Sequence, residues 1–347
     1  MKTPFFELSK SIAIKQLEKT SQFADIVSYS SKTNPDVTKI LEENTNCMFS
    51  VHLINELVNI KDKSRILFIA QAWDEEQIQN LIEQGIRWFV VDNESDLEIL
   101  ENYLNKNQVK INLLLRLKLK EHSIRTEKYY VFGMPSEVIK EKVNELSNNE
   151  KIENLGIHFH RKTQNMSEWS LKYELENTFP EEFFEKISII NIGGGLPSEY
   201  ANTNIKALSS IFTKIKEIKD WFNFNNIKLM IEPGRFISAP AVKLKTKIIG
   251  IHENTIIVDA SVYNGDLDAL VVPVKLLVED ELDEENRSEG KMYIIKGITP
   301  CSMDIFRYRV YLKEKKIGDV ITFINAGAYN FSSDFCNLEK YPTEIKE

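Results

Sequence analysis

Between residues 22 and 235, short runs of β-branched and aromatic residues alternate with stretches whose apolar positions recur every three or four residues. The runs predict strands at Asp25–Ser30, Cys47–Val51, Arg65–Ala70, Trp88–Val91, Lys110–Leu117, Leu155–Phe159, Ser188–Ile192 and Lys228–Ile231. The stretches between them predict helices. Pro35–Glu43 begins with proline at its first position, Asp74–Gln84 has an acidic first turn, and Leu208–Phe224 carries Ile211, Ile215, Ile218 and Phe222 on one stripe. Strands alternating with helices of this length imply βαβ units and a parallel sheet, and eight units in about 215 residues match a (β/α)8 TIM barrel. A doubly wound open sheet is the alternative. After Arg235 the pattern changes: Ala241–Ile251, Thr255–Ala260, Ala269–Val278, Lys291–Lys296, Arg307–Leu312 and Asp319–Asn325 are β-rich, with little helical periodicity. They predict a separate antiparallel β-domain, with the acidic run Glu279–Glu285 as a solvated hairpin loop. The expected division is a barrel over residues 22–236 and a β-domain built from 1–21 plus 237–347.

Composition narrows the class without naming a reaction. The 347 residues are 42% hydrophobic and carry a net charge of −8, so the chain can bury a large core and shows no basic footprint for nucleic acid. No run approaches the ~18 apolar residues of a membrane span, and the first residues lack the apolar stretch of a secretory signal. Cys47, Cys301 and Cys336 are sparse, odd in number and without CxxC spacing, which points to a reducing compartment. The expectation is a cytoplasmic metabolic protein acting on a small molecule.

Several residues could carry chemistry if the strand ends gather at one rim. Lys32 follows the first strand, where a desolvated amine can form a Schiff base with an aldehyde cofactor; alone, such a lysine usually belongs to a solvated surface. Gly193-Gly194-Gly195 follow the seventh strand, where barrels bind phosphate, although three glycines by themselves often mark only a turn. Glu232-Pro233-Gly234-Arg235 follow the eighth; the pair could be a local ion pair, or Arg235 could reach the same phosphate while Glu232 keeps a ring nitrogen protonated. His158 and His160 alternate onto one strand face, as core or stacking residues rather than a metal pair, and Thr163 beyond them could donate to a phosphate oxygen. Arg116 would emerge at the same rim. Later in the chain, Cys301 and Asp304 lie in a loop, and Tyr329 follows Gly327-Ala328, either as core or as a hydroxyl presented to a ligand.

Taken together, Tyr29–Asn34, Gly156–Thr163, Gly193–Gly195, Glu232–Arg235 and Gly327–Tyr329 make the chain resemble the ornithine/diaminopimelate decarboxylases, the barrel-type pyridoxal-phosphate enzymes. The matching segments run from Tyr29 to Phe335. The resemblance implies pyridoxal 5'-phosphate bound through Lys32, with His160 stacked on its ring and Glu232 at its pyridine nitrogen. Gly193, Gly194, Gly195, Arg235, Tyr329 and Thr163 would hold its phosphate, with Arg116 nearby. It implies decarboxylation of an amino acid or a derivative of one, Cys301 as the candidate proton donor, Cys301 and Asp304 as substrate contacts, and no metal. It also implies a head-to-tail homodimer in which each β-domain completes the partner's site. The late motif departs from the family: an ungapped match from Gly297 to Asp304 puts Pro300 at the cysteine position and Cys301 at the position of the acid that grips a distal amine, whereas a one-residue shift restores the cysteine. Arg161-Lys162-Thr163 replace a Gly-Ser, adding two charges near the phosphate loop. A barrel-type racemase and an inactive decarboxylase-like regulator are the alternatives.

Overall fold

The computed structural model describes residues 2–118, 131–203, 206, 208–330 and 333–347. By internal packing the chain divides into two compact units: Leu17–Leu196 with Ala207–Gly234, and Met1–Gln16 with Pro197–Lys206 and Arg235–Glu347.

The first unit is a closed parallel barrel. After β1 (Phe5–Ser9), which belongs to the other unit, its staves are β2 (Ile26–Ser30), β3 (Met48–Val51), β4 (Ile66–Ala70), β5 (Trp88–Val91), β6 (Ile111–Arg116), β7 (Ile152–His158), β8 (Ile189–Asn191) and β9 (Lys228–Ile231). Closure is made by β2 on β9, with Ile26 opposite Met230 and Val27 opposite Ile231. Leu67, Ile69, Val90, Leu114, Ile189 and Met230 form one buried cluster, with Ile26, Met48 and Trp88 against it. Because β4 and β8 are not neighbours, their side chains meet only across the interior. The barrel is a packed core whose chemistry has to sit at its mouth. Gly156 lets β7 and β8 run close together: a Cβ there would lie 2.2 Å from the Ile189 carbonyl oxygen.

The second unit carries one mixed sheet of eight strands. Its central path runs β12 (Leu277–Val278), β15 (Val320–Ile324), β10 (Val242–His252), β11 (Thr255–Val258), β13 (Lys291–Lys296) and β14 (Ile305–Leu312); β1 pairs with β10 and with β16 (Thr343–Lys346). The expectation of a wholly antiparallel sheet is corrected here, since β11–β13 and β1–β16 are parallel. Ala269–Val278 is corrected as well. Short helical turns occupy Val262–Gly265 and Asp268–Val271, and only Leu277–Val278 pairs as strand. The reason is local polar chemistry: Ser261 caps the first turn by accepting from the Tyr263 N–H, and Asp268 is drawn inward by a buried ion pair. The acidic run is tethered in part, because Glu279 pairs with Lys243 and Glu281 grips the buried Arg307 with both oxygens.

Candidate active site

Lys32 is set by the way the chain leaves β2. Ser31–Thr33 make a single 3-10 turn, then the Asn34 side chain accepts from the Asp36 and Val37 N–H groups, with Pro35 first in the helix Pro35–Asn44. Ser31 and Thr33 are buried, and the Ser31 hydroxyl meets that of Thr38 at 3.0 Å, so Lys32 between them is turned outward. Solvent reaches the lysine, yet the rim around it lowers its amine: burial comes first, Arg116 adds to it, and Glu232 and Glu56 oppose. The Ser30 hydroxyl, two residues back, donates to the Glu232 carbonyl oxygen at 3.1 Å.

Glu232 directly follows β9 and is almost fully buried. Burial alone would raise its carboxyl, but His158, His52 and His160 outweigh this and bring it down to about 2. His158 Nε2 lies 3.6 Å from Glu232 Oε1, and Asn191 Nδ2 donates to the same oxygen at 2.7 Å. Beyond β7, His160 lies in the loop, where its Nδ1 accepts from the Gly194 N–H at 3.1 Å. One side of its ring is open, but the packed rim, followed by repulsion from His158, Lys32 and Arg116, brings it to about 4. Arg116, ending β6, is held by Asp92 at 2.9 Å with the Phe132 ring over its guanidinium.

The glycine loop is built for close approach. Gly193 and Gly195 have φ of +68° and +95°, and a Cβ on Gly194 would sit 2.7 Å from the Glu232 carbonyl oxygen. The Asn165 N–H donates to the Gly195 carbonyl oxygen at 2.9 Å, bringing the Arg161–Asn165 loop, and half-buried Thr163 with it, alongside the glycines. The two extra charges of that loop part company. Arg161 is buried against Glu168 and Glu174 and braces the loop, while Lys162 stays exposed.

Two rim residues escaped the sequence reading. His52 and Glu56 follow β3, and because Ser30 pairs with Ser50, His52 stands beside Lys32. Glu56 Oε1 accepts from the His52 and Leu53 N–H groups, whereas Glu56 Oε2 and His52 Nδ1 are buried without a hydrogen bond. His52 is lowered to about 3 by burial and then by Lys32. Their signal lay in the register of two adjacent strands, which one-dimensional reading does not supply.

The remaining expected residues belong to the second unit. Arg235 is buried and takes Asp268 as its carboxylate partner, with Tyr200 Oη at 3.1 Å and the Tyr329 ring against its guanidinium. Tyr329 adopts φ +56°, and Gly327 before it has no room for a side chain, since a Cβ would lie 1.9 Å from the Ser238 carbonyl oxygen. Cys301 Sγ meets Tyr263 Oη at 2.9 Å, a contact that lowers the thiol and pushes the phenol up to about 12. Asp304 is fully buried: one oxygen accepts from the Val262 N–H, the other from the Thr299 N–H and hydroxyl. Its carboxylate shapes the loop that presents Cys301. Both oxygens of Asp304, expected as a substrate contact, thus have backbone partners within this unit.

A closed parallel barrel with a mixed β-unit, and at its mouth a rim lysine, a buried carboxylate and a tightly packed glycine loop, fits the barrel-type class of cofactor-dependent enzymes. The sequence matches the family described as "Pyridoxal-dependent decarboxylase, pyridoxal binding domain" over residues 10–239, and the chain belongs to that family of pyridoxal-phosphate carboxy-lyases. It is 23% identical to antizyme inhibitor 2 of Xenopus laevis, over 95% of this chain and 76% of that protein. It is 26% identical to diaminopimelate decarboxylase of Methanothermobacter thermautotrophicus, over 94% and 80%. The crystal structure of diaminopimelate decarboxylase from Helicobacter pylori complexed with L-lysine shares the fold, with a TM-score of 0.80 at 19% identity, over all of this chain and 92% of that one. The residues fit pyridoxal phosphate: the glycine cradle has no space for a Cβ, and no donor among the described residues reaches Glu232 Oε2. Among the described residues, no helix is long and apolar enough to cross a membrane.

Proposed function

We propose that this protein decarboxylates an amino acid or an amino-acid-derived substrate with pyridoxal phosphate, acting as a homodimer. The observation that carries the reading is the grouping of Lys32, Glu232 and the tightly packed Gly193–Gly195 loop at one barrel mouth, with Glu232 Oε2 lacking a donor among the described residues. Bound pyridoxal phosphate supplies an electron sink for the electrons of a breaking Cα–carboxylate bond. Lys32, its amine lowered by the rim, is neutral more often than a surface lysine and is the residue that would hold the cofactor through its aldehyde. Glu232, lowered to about 2, is ionised at neutral pH and holds a proton at the ring nitrogen. The Gly193, Gly194 and Gly195 backbones, with Thr163, Arg235 and Tyr329, would hold the phosphate; His160 would contact the ring; Arg116, fixed by Asp92, would add positive charge nearby. Cys301, its thiol lowered by Tyr263, returns a proton to Cα and contacts substrate from the second subunit of the dimer.

Loading the protein with pyridoxal phosphate and following CO2 release across a panel of amino acids tests this reading. Turnover is expected for at least one member, and Lys32→Ala should abolish both turnover and the absorbance band of lysine-bound cofactor. A racemase would invert a chiral substrate without releasing CO2; a carboxylate rather than a guanidinium at the ring nitrogen speaks against it. The likeness to antizyme inhibitor 2 favours a second reading, a non-catalytic regulator. Wild-type protein that develops no such band with added cofactor would establish that alternative and refute ours.

A further inference from the structure

Asn191, the last residue of β8, is fully buried and joins two parts of the mouth that the proposed function uses separately. Its Nδ2 donates to Glu232 Oε1 at 2.7 Å, and its Oδ1 accepts from the Gly193 N–H at 2.9 Å. The orientation of the amide follows from its partners, because an ionised carboxylate only accepts and a backbone N–H only donates. The Glu232 N–H in turn donates to the Gly193 carbonyl oxygen at 2.8 Å, so the two residues are bound to each other as well as to Asn191. Gly193 sits at φ +68°, and a Cβ there would lie 2.6 Å from the Phe159 carbonyl oxygen. On the carboxylate side, Oε1 is occupied by Asn191 with His158 close by, while Oε2 has no hydrogen bond among the described residues.

We infer that Asn191 is a positioning residue that turns Glu232 so that Oε2 is the atom meeting the cofactor's ring nitrogen, and that holds Gly193 in the left-handed turn the phosphate requires. This rests on the proposed function. Asparagine suits the place because it offers a donor and an acceptor on one short, neutral side chain. Leucine offers neither. Aspartate still accepts from Gly193, but it can donate to Glu232 only while protonated; once ionised it sets a second negative charge beside the first.

The two substitutions therefore separate the two arms. The unloaded proteins are titrated with pyridoxal phosphate and with pyridoxal, and the ratio of their dissociation constants reads the phosphate arm. The ring-nitrogen arm is read from the 15N shift of ring-labelled cofactor, fixed to the protein by borohydride reduction, across pH. Asn191→Leu is expected to lose about tenfold of its preference for the phosphorylated form, the loss of one buried backbone hydrogen bond and the turn it fixes, and to show a deprotonated ring nitrogen at neutral pH. Asn191→Asp should keep the preference within about threefold of wild type. Its ring nitrogen should be protonated at low pH and released in a step that wild type lacks over the same range. Glu232, His158, His52 and His160 are the titrating groups facing this position, and the wild-type profile carries their contribution. Wild-type ratios and wild-type 15N profiles in both variants would overturn the inference while leaving the decarboxylase reading intact. Should Asn191→Leu fail to fold, the pH step in Asn191→Asp decides alone. A wild-type protein that takes up no pyridoxal phosphate would remove the reading itself, and this inference with it.

Discussion

Both units bury charged and polar groups, but they treat them differently. At the barrel mouth, Glu56 Oε2, His52 Nδ1 and both nitrogens of His158 are buried without hydrogen bonds, and Glu232 keeps one oxygen without a donor. In the second unit, Arg235 is matched by Asp268 and Tyr200, Arg307 by Glu281 and the Leu276 carbonyl oxygen, and Asp304 by Val262 and Thr299. Buried polar groups are costly when unmatched, so a fold that leaves several together keeps them for something it binds. Exceptions among the described residues of the second unit are Asn330 Nδ2 and Asp266, whose buried oxygens lack partners and whose carboxyl is raised well above the usual range by burial and then by Asp268.

The contrast can be broken by substitutions on its two sides. Glu232→Gln, at the mouth, should lower turnover by about a hundredfold or more, as removal of a buried electrostatic group at a reacting centre typically does. It should cost the unloaded protein far less in stability than in turnover, since the amide oxygen still accepts from Asn191 Nδ2 and only the charge, which its histidine neighbours favour in the fold, is lost. Equal losses of activity and stability would erase the distinction. Asp304→Ala is the mirror image. It orphans two buried N–H groups and a hydroxyl, so unfolding free energy should drop by about 2–4 kcal/mol in denaturant titrations, while the affinity of the barrel for pyridoxal phosphate is retained. An unaffected stability would return Asp304 to the list of candidate substrate contacts.

The smallest effect concerns acid. The folded Glu232 value, about 2, lies below its ordinary 4.5, so its contribution to stability is complete above 4.5 and is lost as pH falls toward 2. His52, lowered from 6.5 to about 3, acts in the same direction: the unfolded chain takes up a proton below pH 6.5 that the folded one refuses until about pH 3. Unloaded protein should therefore be less stable at pH 4.5 than at pH 7 in urea, and His52→Gln should shrink that gap. A gap unchanged by His52→Gln would show that the mouth does not hold the imidazole neutral.

Much of the barrel was legible because each stave is a short β-branched run bounded by polar turns, and the rim glycines, Lys32 and Glu232 follow staves directly. What escaped depended on contacts between distant segments. Ala269–Val278 reads as strand by composition, yet with the inward pull on Asp268 its first residues fall in the helical turn Asp268–Val271 and only Leu277–Val278 pairs. Strands β1 and β16 are short, and no strand was expected at either place, because β16 gains its pairing from β1 and β1 from β16 and β10. His52 looked like an ordinary loop residue until the register of β2 and β3 set it beside Lys32.

The anchoring of Asp304 also bears on how this protein could acquire new tastes. With the base of the 297–304 loop pinned by that carboxylate, the exposed tip residues Ser302 and Met303 can vary without unravelling what supports them. Under the proposed function, in which neighbouring Cys301 contacts substrate, such a division between a fixed foundation and a free crest would let a lineage trade one substrate for another by single steps. A protein engineer seeking altered selectivity would begin at the crest.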